Sequence, residues 1–168
     1  MIEEKCGIPV VGVIPYMNVD VDDEDSLSDR LENKETKGLI DIAVIRLPKI
    51  SNFTDFNSLE TIDGFSVRYV SRKGELKEPD MVIVPGSKST IADLKWLRQS
   101  GIEGEIKRLA HKGTLIWGIC GGYQMLGQKI SDPLKTETGG EIEGMGLLKG
   151  KTVFAEEKTR TRIEGKIL

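Results

Sequence analysis

Short apolar runs alternate with amphipathic stretches from Leu39 to Ile130, and this alternation constrains the fold more than any other feature. Runs of about four to eight residues rich in Ile and Val are typical of strands, and an uninterrupted apolar run indicates burial on both faces. Such runs occur in LIDIAVIRLP, DMVIVPG and TLIWGIC, while FSVRYVS alternates as a half-exposed strand does. Strands separated by helices predict an α/β fold with a parallel sheet wrapped by helices.

Three helices are predicted between and after these strands. In STIADLKWLRQSG, Ser89 or Thr90 is the expected N-cap and Gly101 the stop. The apolar face of that helix carries three residues at helical spacing: Ile91, Leu94 and Leu97. IEGEIKRLAHKG continues as a second helix that ends at Gly113, and GGYQMLGQKI forms the third. The tail from IEGMGLL onward is β-like with Gly turns.

The two tryptophans are interpreted as packing residues. Trp96 lies on the first helix beside Leu97 and is expected to face the core or a partner domain. Trp117 lies within the strand TLIWGIC and is predicted to be a core residue. Neither position implies that the ring stacks on a nucleotide.

Two segments precede the α/β pattern. Ile8 to Ile14 reads as a buried strand flanked by prolines. Residues 18–38 form an acidic, polar connector with one predicted helical turn around Ser26 to Leu31. The acidic run lacks the ligand spacing and the glycine of an EF-hand loop, so we interpret it as a solvated linker and predict no metal site.

Bulk composition excludes several classes of function. A formal charge of −3 over 168 residues gives no basic footprint for nucleic acid. No apolar run reaches the length of a membrane span, and no signal peptide is visible. Two cysteines in unlike contexts, Cys6 and Cys120, indicate a reduced, cytoplasmic protein.

The candidate site lies where two strands end. PGSKST follows the strand that ends at Val84, and CGGYQ follows the strand that ends at Ile119. Ligands of parallel sheets bind at the carboxyl ends of the strands. If these two strands are neighbours, both loops face one pocket.

Cys120 is the candidate nucleophile, because GICGG fits the strand-turn-helix elbow G-x-S-x-G with Cys in place of Ser. The following helix points its N-terminus at the sulfur and favours the thiolate. The N–H of Gly121 can point at an oxyanion, and Gly86 or Ser87 is the expected second donor. Together these features predict acyl transfer through a thioester. The alternative is a small buried cysteine beside an ordinary tight turn.

GICGGYQMLG also resembles the nucleophile segment of class I glutamine amidotransferases. More narrowly, three blocks resemble the cobyric acid synthase family: IDIAVIRLPKISNFTDFNSLE, VRYVSRKGELKEPDMVIVPGSKSTIADLKWLRQSG and EIEGMGLL. The resemblance begins at about Ile8, and RLPKISNFTDF is its most specific part. It implies a flavodoxin-like fold of the class I glutamine amidotransferase type, a mostly parallel sheet with helices on both faces.

Enzymes of this family amidate peripheral carboxylates of a corrin ring in cobalamin biosynthesis, using glutamine and ATP. The resemblance implies that residues 1–17 are a remnant of the preceding ATP-binding synthetase domain and residues 18–38 the linker. Residues 39–168 would be the glutamine amidotransferase domain, truncated at its C-terminus. The sequence contains no G-x-x-x-x-G-K-[ST] motif, so ATP and Mg are expected in the synthetase domain and not here. Expected partners are glutamine and, through that domain, the corrin substrate.

The resemblance also implies roles for individual residues. Cys120 would attack the side-chain amide of glutamine, and the oxyanion would be held by the amides named above. Tyr123 and Gln124 line the glutamine pocket in this interpretation, or else they pack and face solvent, respectively. Lys88 attracts the substrate carboxylate or is only a surface residue.

Two further predictions concern residues near the site. Asn52 and Asp55 of SNFTDF are expected to hold a loop through side-chain to backbone hydrogen bonds, without a catalytic part. The family's base is a His in a motif resembling GYEIHMG, which this sequence lacks. His111, the one histidine, falls in a helix at the opposite sheet edge, so we expect this chain to hydrolyse glutamine poorly or not at all.

Three other interpretations stay open. The chain could be the glutaminase part of a related amidoligase, such as corrin a,c-diamide synthase or a cell-wall amidation enzyme, although RLPKISNFTDF argues against this. It could be a stress or peptidase-like protein with a cysteine elbow, but those place His directly after the nucleophile, where this chain has Gly121. It could also be a non-catalytic docking module of the same fold.

Overall fold

The computed structural model describes residues 2–13 and 38–156. A 3-10 helix, Phe53–Phe56, directly precedes the helix α2. The remaining elements are, in chain order, α1 (Ile2–Cys6), β1 (Ile40–Ile45), β2 (Ile50–Ser51), α2 (Asn57–Glu60), β3 (Phe65–Val70), α3 (Lys73–Leu76), β4 (Met81–Val84), β5 (Gly86–Ser87), α4 (Thr90–Gln99), α5 (Ile102–Lys112), β6 (Leu115–Gly118), α6 (Gly121–Leu126), β7 (Lys129–Asp132), β8 (Gly140–Glu143) and β9 (Lys151–Val153).

The main sheet has four parallel strands in the order β3-β1-β4-β6. In β1 and β4, side chains on both faces are buried, as the uninterrupted apolar runs predict. Ile42 and Val44 on one face and Ala43 and Ile45 on the other are at most 1% exposed. The predicted α/β fold with a wrapped, mostly parallel sheet is confirmed.

The strand β6 is less buried than its composition predicts. Leu115 is 61% exposed and Trp117 is 53% exposed, and both point to the same face of the sheet. β6 is the last strand in the order of this sheet. The prediction of Trp117 as a core residue is therefore wrong, because the place of a strand in the sheet decides whether both faces are buried.

The buried strand predicted at Ile8 to Ile14 is also wrong over its described part. Residues 8–13 form no strand, and Ile8, Val11 and Val13 are 67%, 101% and 85% exposed. No described strand pairs with this segment, so its apolar side chains have nothing to pack against. The predicted linker, including the turn at Ser26 to Leu31, lies outside the described residues except for Gly38.

The helices α4 and α5 follow the prediction closely. Ile91, Leu94 and Leu97 are at most 1% exposed, which confirms the apolar face of α4. Gly101 and Gly113 adopt the left-handed φ values of 77° and 94° that end helices. Trp96 is half-buried against the core, in line with its prediction. No helix among the described residues has the length and hydrophobicity needed to cross a bilayer.

A second, smaller sheet follows α6, with strand order β8-β7-β9. β8 is antiparallel to β7 and β9 is parallel to it, which confirms the β-like tail over its described part, residues 142–156. The guanidinium of Arg98 in α4 donates to Glu103 (2.7 Å) and to the carbonyl O of Glu143 (2.7 Å). This arginine therefore ties the smaller sheet to the helical layer.

Candidate active site

The strands β4 and β6 end side by side, as the site prediction requires. Val84 is paired with Gly118 in the parallel register, and the N–H of Ile119 donates to the O of Val84 (3.0 Å). The loops PGSKST and CGGYQ therefore leave the sheet at adjacent points of its carboxyl edge.

Cys120 occupies the turn between β6 and α6 in a conformation that non-glycine residues seldom adopt. Its φ is 50° and its ψ is −113°, and the residue is exposed. A left-handed φ at a residue with a Cβ is strained and persists only where surrounding contacts impose it. This geometry is that of an elbow that presents the thiol, so the alternative of a buried structural cysteine is excluded.

Two glycines flanking Cys120 let the elbow close. A Cβ on Gly118 would lie 2.7 Å from the backbone N and Cα of Tyr123. A Cβ on Gly122 would overlap the carbonyl O of Val84. Contacts this short to backbone atoms leave no room for a side chain, so the G-x-C-x-G spacing reflects a real steric requirement.

The backbone amide of Ser87 faces this turn. The strand β5 is antiparallel to β2, and the N–H of Lys88 donates to the O of Lys49 (2.8 Å). Because successive N–H groups of a strand point to opposite sides, the N–H of Ser87 points away from β2. The N of Ser87 lies 3.1 Å from where a Cβ on Gly121 would be. Ser87 and Gly121 thus bring two backbone amides together beside the thiol.

Gly86 allows the same loop to pass close to the nucleophile. A Cβ on Gly86 would lie 2.7 Å from the Oγ of Ser51 and 3.8 Å from the Cβ of Cys120. The structure therefore brings Gly86, Ser87 and Gly121 together around Cys120, as the sequence predicts.

Asp93 is a residue that sequence reasoning missed. Its carboxylate is 1% exposed and accepts hydrogen bonds from the Oγ of Ser87 (2.7 Å) and the N–H of Lys49 (3.2 Å). Burial raises the pKa of Asp93 above its usual value, although these two hydrogen bonds oppose the shift. Asp93 fixes the loop that carries Ser87, and its only sequence signal is an acidic residue in the first turn of α4.

The remaining predicted residues lie around the elbow with different burial. Tyr123 is 60% exposed, so it is not a core packing residue, whereas Gln124 is half-buried. The N–H of Gln124 donates to the O of Cys120 (3.1 Å), which stabilises the first turn of α6. Lys88 is exposed beside this site. Their proposed contacts with a substrate stay predictions.

Asn52 shapes its loop through its backbone. It has a left-handed φ of 54°, and its side chain makes no capping hydrogen bond to the 3-10 helix. The N–H of Asp55 donates to the O of Asn52 (3.1 Å), and the O of Asp55 accepts from Ser58. The predicted side-chain bonds are thus replaced by backbone bonds, because an Asn in the left-handed region turns the chain by itself.

His111 lies in the last turn of α5 and is exposed. That helix leads into the amino end of β6, whereas Cys120 follows the carboxyl end of the same strand. The histidine is therefore at the opposite edge of the sheet from the thiol, as predicted. In residues 2–13 and 38–156, no group of three or more His, Cys, Asp or Glu side chains is placed to hold a metal ion.

Known proteins share this fold and sequence. The chain resembles a crystal structure of a glutamine amidotransferase with a TM-score of 0.53 and 24% identity, covering 67% of this chain and 55% of that one. It resembles the fold of a candidate peptidase E from Listeria monocytogenes EGD-e equally well, with a TM-score of 0.53 and 16% identity over 69% of this chain and 66% of that one. These likenesses show the fold alone.

Several proteins are more similar to this chain in sequence than these two structures are. A protein named cobyric acid synthase from Ruminiclostridium cellulolyticum is 61% identical over 98% of this chain, which is 32% of that protein. Proteins of the same name from Lachnoclostridium phytofermentans and Alkaliphilus metalliredigens are 57% and 54% identical, over 95% and 100% of this chain. The chain spans about a third of the length of these curated relatives.

The model of the CobB/CobQ-like glutamine amidotransferase domain matches residues 41–168. That match includes both loops of the candidate site and all of the main sheet except Ile40, the first residue of β1. With the thiol elbow and its two neighbouring amides in place, the assignment rests on geometry as well as on sequence. The chain belongs to the CobB/CobQ-like glutamine amidotransferase domain family.

Proposed function

We propose that this chain is the glutaminase part of a cobyric acid synthase and that Cys120 is its nucleophile. One observation carries the proposal: an exposed thiol on a strained turn, with the amides of Gly121 and Ser87 gathered beside it. Such donors stabilise the negative charge that develops on a carbonyl oxygen during acyl transfer.

The proposed reaction begins when the thiolate of Cys120 attacks the side-chain amide carbon of glutamine. The carbonyl oxygen becomes an oxyanion that the N–H groups of Gly121 and of the PGS loop hold. Ser87 supplies the second donor, because its N–H faces the turn whereas Gly86 is opposite Ser51 in the β2–β5 pair. The C–N bond breaks as a His of the whole enzyme gives its proton to the leaving nitrogen, so that ammonia departs, and the same His then takes a proton from the water that hydrolyses the thioester to glutamate and frees the thiol. Because this sequence lacks the GYEIHMG-like motif that would carry this His, we propose that the chain alone hydrolyses glutamine poorly or not at all.

We propose that Tyr123 and Gln124 line the glutamine pocket. Both residues lie in the first turn after the nucleophile, and the side chain of Tyr123 is exposed. Lys88 follows Ser87 directly and is exposed, so its ammonium is available to the substrate carboxylate.

The ammonia would serve an ATP-dependent amidation of corrin carboxylates. The support is the name shared by three relatives that are 54–61% identical to this chain. ATP and Mg would bind the synthetase part of such an enzyme. The shared name of these relatives favours cobyric acid synthase over the alternative of a corrin a,c-diamide synthase.

Affinity labelling tests the nucleophile. A chloroketone analogue of glutamine should label Cys120 in a saturable reaction that glutamine slows, while Cys6 reacts only at the rate of an ordinary exposed thiol. Cys6→Ser should leave this labelling unchanged, and Cys120→Ser should abolish it. Equal labelling of both thiols, with no protection by glutamine, would contradict the proposal.

A chimera tests the corrin assignment. The matched region of the Ruminiclostridium cellulolyticum relative would be replaced by this chain, so that the rest of that protein supplies the synthetase part and the base His that this sequence lacks. We expect glutamine-dependent amidation of a corrin carboxylate that Cys120→Ser removes, while amidation from added ammonium salt persists. A chimera that uses ammonium but never glutamine would reject this chain as the glutaminase part.

A further inference from the structure

A loop from the smaller sheet reaches the candidate site. Residues 133–139 join β7 to β8, and the carboxylate of Glu137 in this loop binds the start of α4. Its Oε2 accepts from the N–H of Thr90 (2.6 Å) and its Oε1 accepts from the Oγ1 of Thr90 (3.1 Å). The two residues are 47 positions apart in the sequence, so the contact is tertiary.

The loop is held in shape by Asp132. This carboxylate is fully buried and accepts hydrogen bonds from the N–H and Oγ1 of Thr136 (2.8 Å each). It also accepts from the N–H groups of Glu137 (2.9 Å) and Gly139 (2.8 Å). The backbone N–H of Glu137 is one of the donors that Asp132 binds. The loop is therefore already in shape when the carboxylate of Glu137 binds Thr90.

Glu137 replaces the cap that α4 would otherwise lack. Ser89, the residue at the N-cap position, makes no side-chain capping bond, and its Oγ is buried without a partner in the described residues. An exposed helix start can bind water, but Thr90 is only 1% exposed. The carboxylate of Glu137 therefore satisfies two buried donors and complements the positive end of the helix.

Thr90 in turn packs against the nucleophile turn. A Cβ on Gly121 would lie 3.1 Å from the Oγ1 of Thr90 and 3.1 Å from the N of Ser87. The contacts thus run from Glu137 to Thr90 and on to Gly121, beside the parallel path from Asp93 to Ser87. One path ends at Gly121 and the other at Ser87, the two residues whose backbone amides are proposed to bind the oxyanion.

We propose that Glu137 is a positioning residue that holds these two amides in register through Thr90. The inference rests on the proposed function, since it assigns the amides their role. Without the carboxylate, Thr90 loses the acceptor of two buried donors, and the start of α4 shifts to find new ones. The gap between Ser87 and Gly121 then changes, while the thiol itself stays exposed.

Two thiol reagents separate positioning from general damage. The thiolate adds to the carbonyl carbon of the chloroketone analogue of glutamine and makes its oxygen an oxyanion, and the sulfur then displaces chloride from the neighbouring carbon to leave a stable thioether. Iodoacetamide alkylates the thiolate by direct displacement of iodide and forms no oxyanion. The variants are Glu137→Gln and Glu137→Ala, and Glu141→Gln is the matched control because Glu141 lies in β8 and pairs with Lys129.

The maximal rate and the half-saturating concentration of chloroketone labelling are measured for each variant, together with thermal unfolding. We expect Glu137→Ala to lower the maximal rate about tenfold, a fraction of the loss seen when an oxyanion donor is removed outright. Half-saturation and the iodoacetamide rate should each change less than about twofold, and Glu141→Gln should match the wild type. Glu137→Gln keeps the side-chain size and one acceptor oxygen, so it decides the result if Glu137→Ala does not fold.

Two results would overturn the positioning role: wild-type chloroketone kinetics in both Glu137 variants, or an equal loss of reactivity toward both reagents. A wild-type chain that shows no saturable, glutamine-protected labelling would instead reject the proposed function, and this inference with it. The two failures are thus distinguished by the behaviour of the unmodified chain.

Discussion

The two edges of the main sheet are held in different ways. At the carboxyl edge, backbone atoms of the β4 and β6 loops touch, and buried Asp93 binds donors of the loop. At the amino edge, Glu78 pairs with Arg108 (2.9 Å) and Lys112 (3.0 Å); Glu78 and Lys112 are exposed and Arg108 is half-buried. The contacts at the carboxyl edge are buried, whereas the ion pairs at the amino edge are weakened by the surrounding solvent. A substitution at the carboxyl edge should therefore alter stability and reactivity together, and one at the amino edge should alter neither.

The largest effect is expected from Gly122→Ala. The added Cβ overlaps the carbonyl O of Val84, and neither backbone can move without disturbing the pairing of β4 with β6. We expect a loss of about 3 kcal/mol in the free energy of unfolding, measured by urea denaturation, and loss of chloroketone labelling at Cys120.

Gly104→Ala is the matched control for that substitution. Gly104 lies in the exposed face of α5, with no atom within 4 Å of an added Cβ. Alanine there should stabilise the helix by about 1 kcal/mol. Equal destabilisation by both substitutions would mean that the elbow is not the tightly packed region described.

An intermediate effect is expected from Asp132→Asn, largest above pH 3.8 and smallest in acid. Burial alone would raise the pKa of Asp132, but hydrogen bonds from Glu137, Thr136 and Gly139 lower it to about 2, below the ordinary value of 3.8. A lowered folded-state pKa gives stability that is present above pH 3.8 and is lost as the pH falls toward 2. The wild type should therefore lose unfolding temperature over that range more steeply than the variant, as followed by circular dichroism.

This prediction also bears on the candidate site. At neutral pH the loop that carries Glu137 should be looser in Asp132→Asn than in the wild type, so chloroketone labelling of the variant should be slower. A variant with the same pH dependence as the wild type would show that the carboxylate of Asp132 does not hold the loop.

The smallest effect is expected from Glu78→Gln. Hydrogen bonds from Lys112 and Arg108 lower the pKa of Glu78, but the group is exposed and screened by solvent. We expect the unfolding temperature to change by less than about 2 °C and the labelling rate of Cys120 to remain the same. A loss of labelling here would show that the two edges are coupled.

Local patterns were enough to predict the parallel sheet and the elbow. The spacing of Gly118, Cys120 and Gly122 predicts a tight turn, because the steric requirement is met within five consecutive residues. The apolar run of β4 likewise predicts a strand buried on both faces. The sequence predicts that the loops after β4 and β6 come together only if the two strands are neighbours. In the structure they are neighbours.

Other features depend on contacts that no local pattern contains. Glu137 reaches Thr90 from 47 positions away, and its sequence neighbours are ordinary loop residues. Trp117 has the composition of a core residue, yet its exposure depends on the number of strands beyond β6. Residues 8–13 are apolar in the same way, but pairing with a sheet requires a partner strand that the run itself cannot specify.

The contact between Gly122 and Val84 has a consequence for folding. The elbow cannot adopt its shape until β4 and β6 have paired, because Gly122 in the turn after β6 packs directly on the carbonyl O of Val84 at the end of β4. An unfolded or partly assembled chain should thus display an ordinary, slowly reacting sulfhydryl. The rate at which glutamine-like electrophiles modify Cys120 during refolding would then report when β4 and β6 pair, since the thiol becomes reactive in the same step in which the native sheet forms.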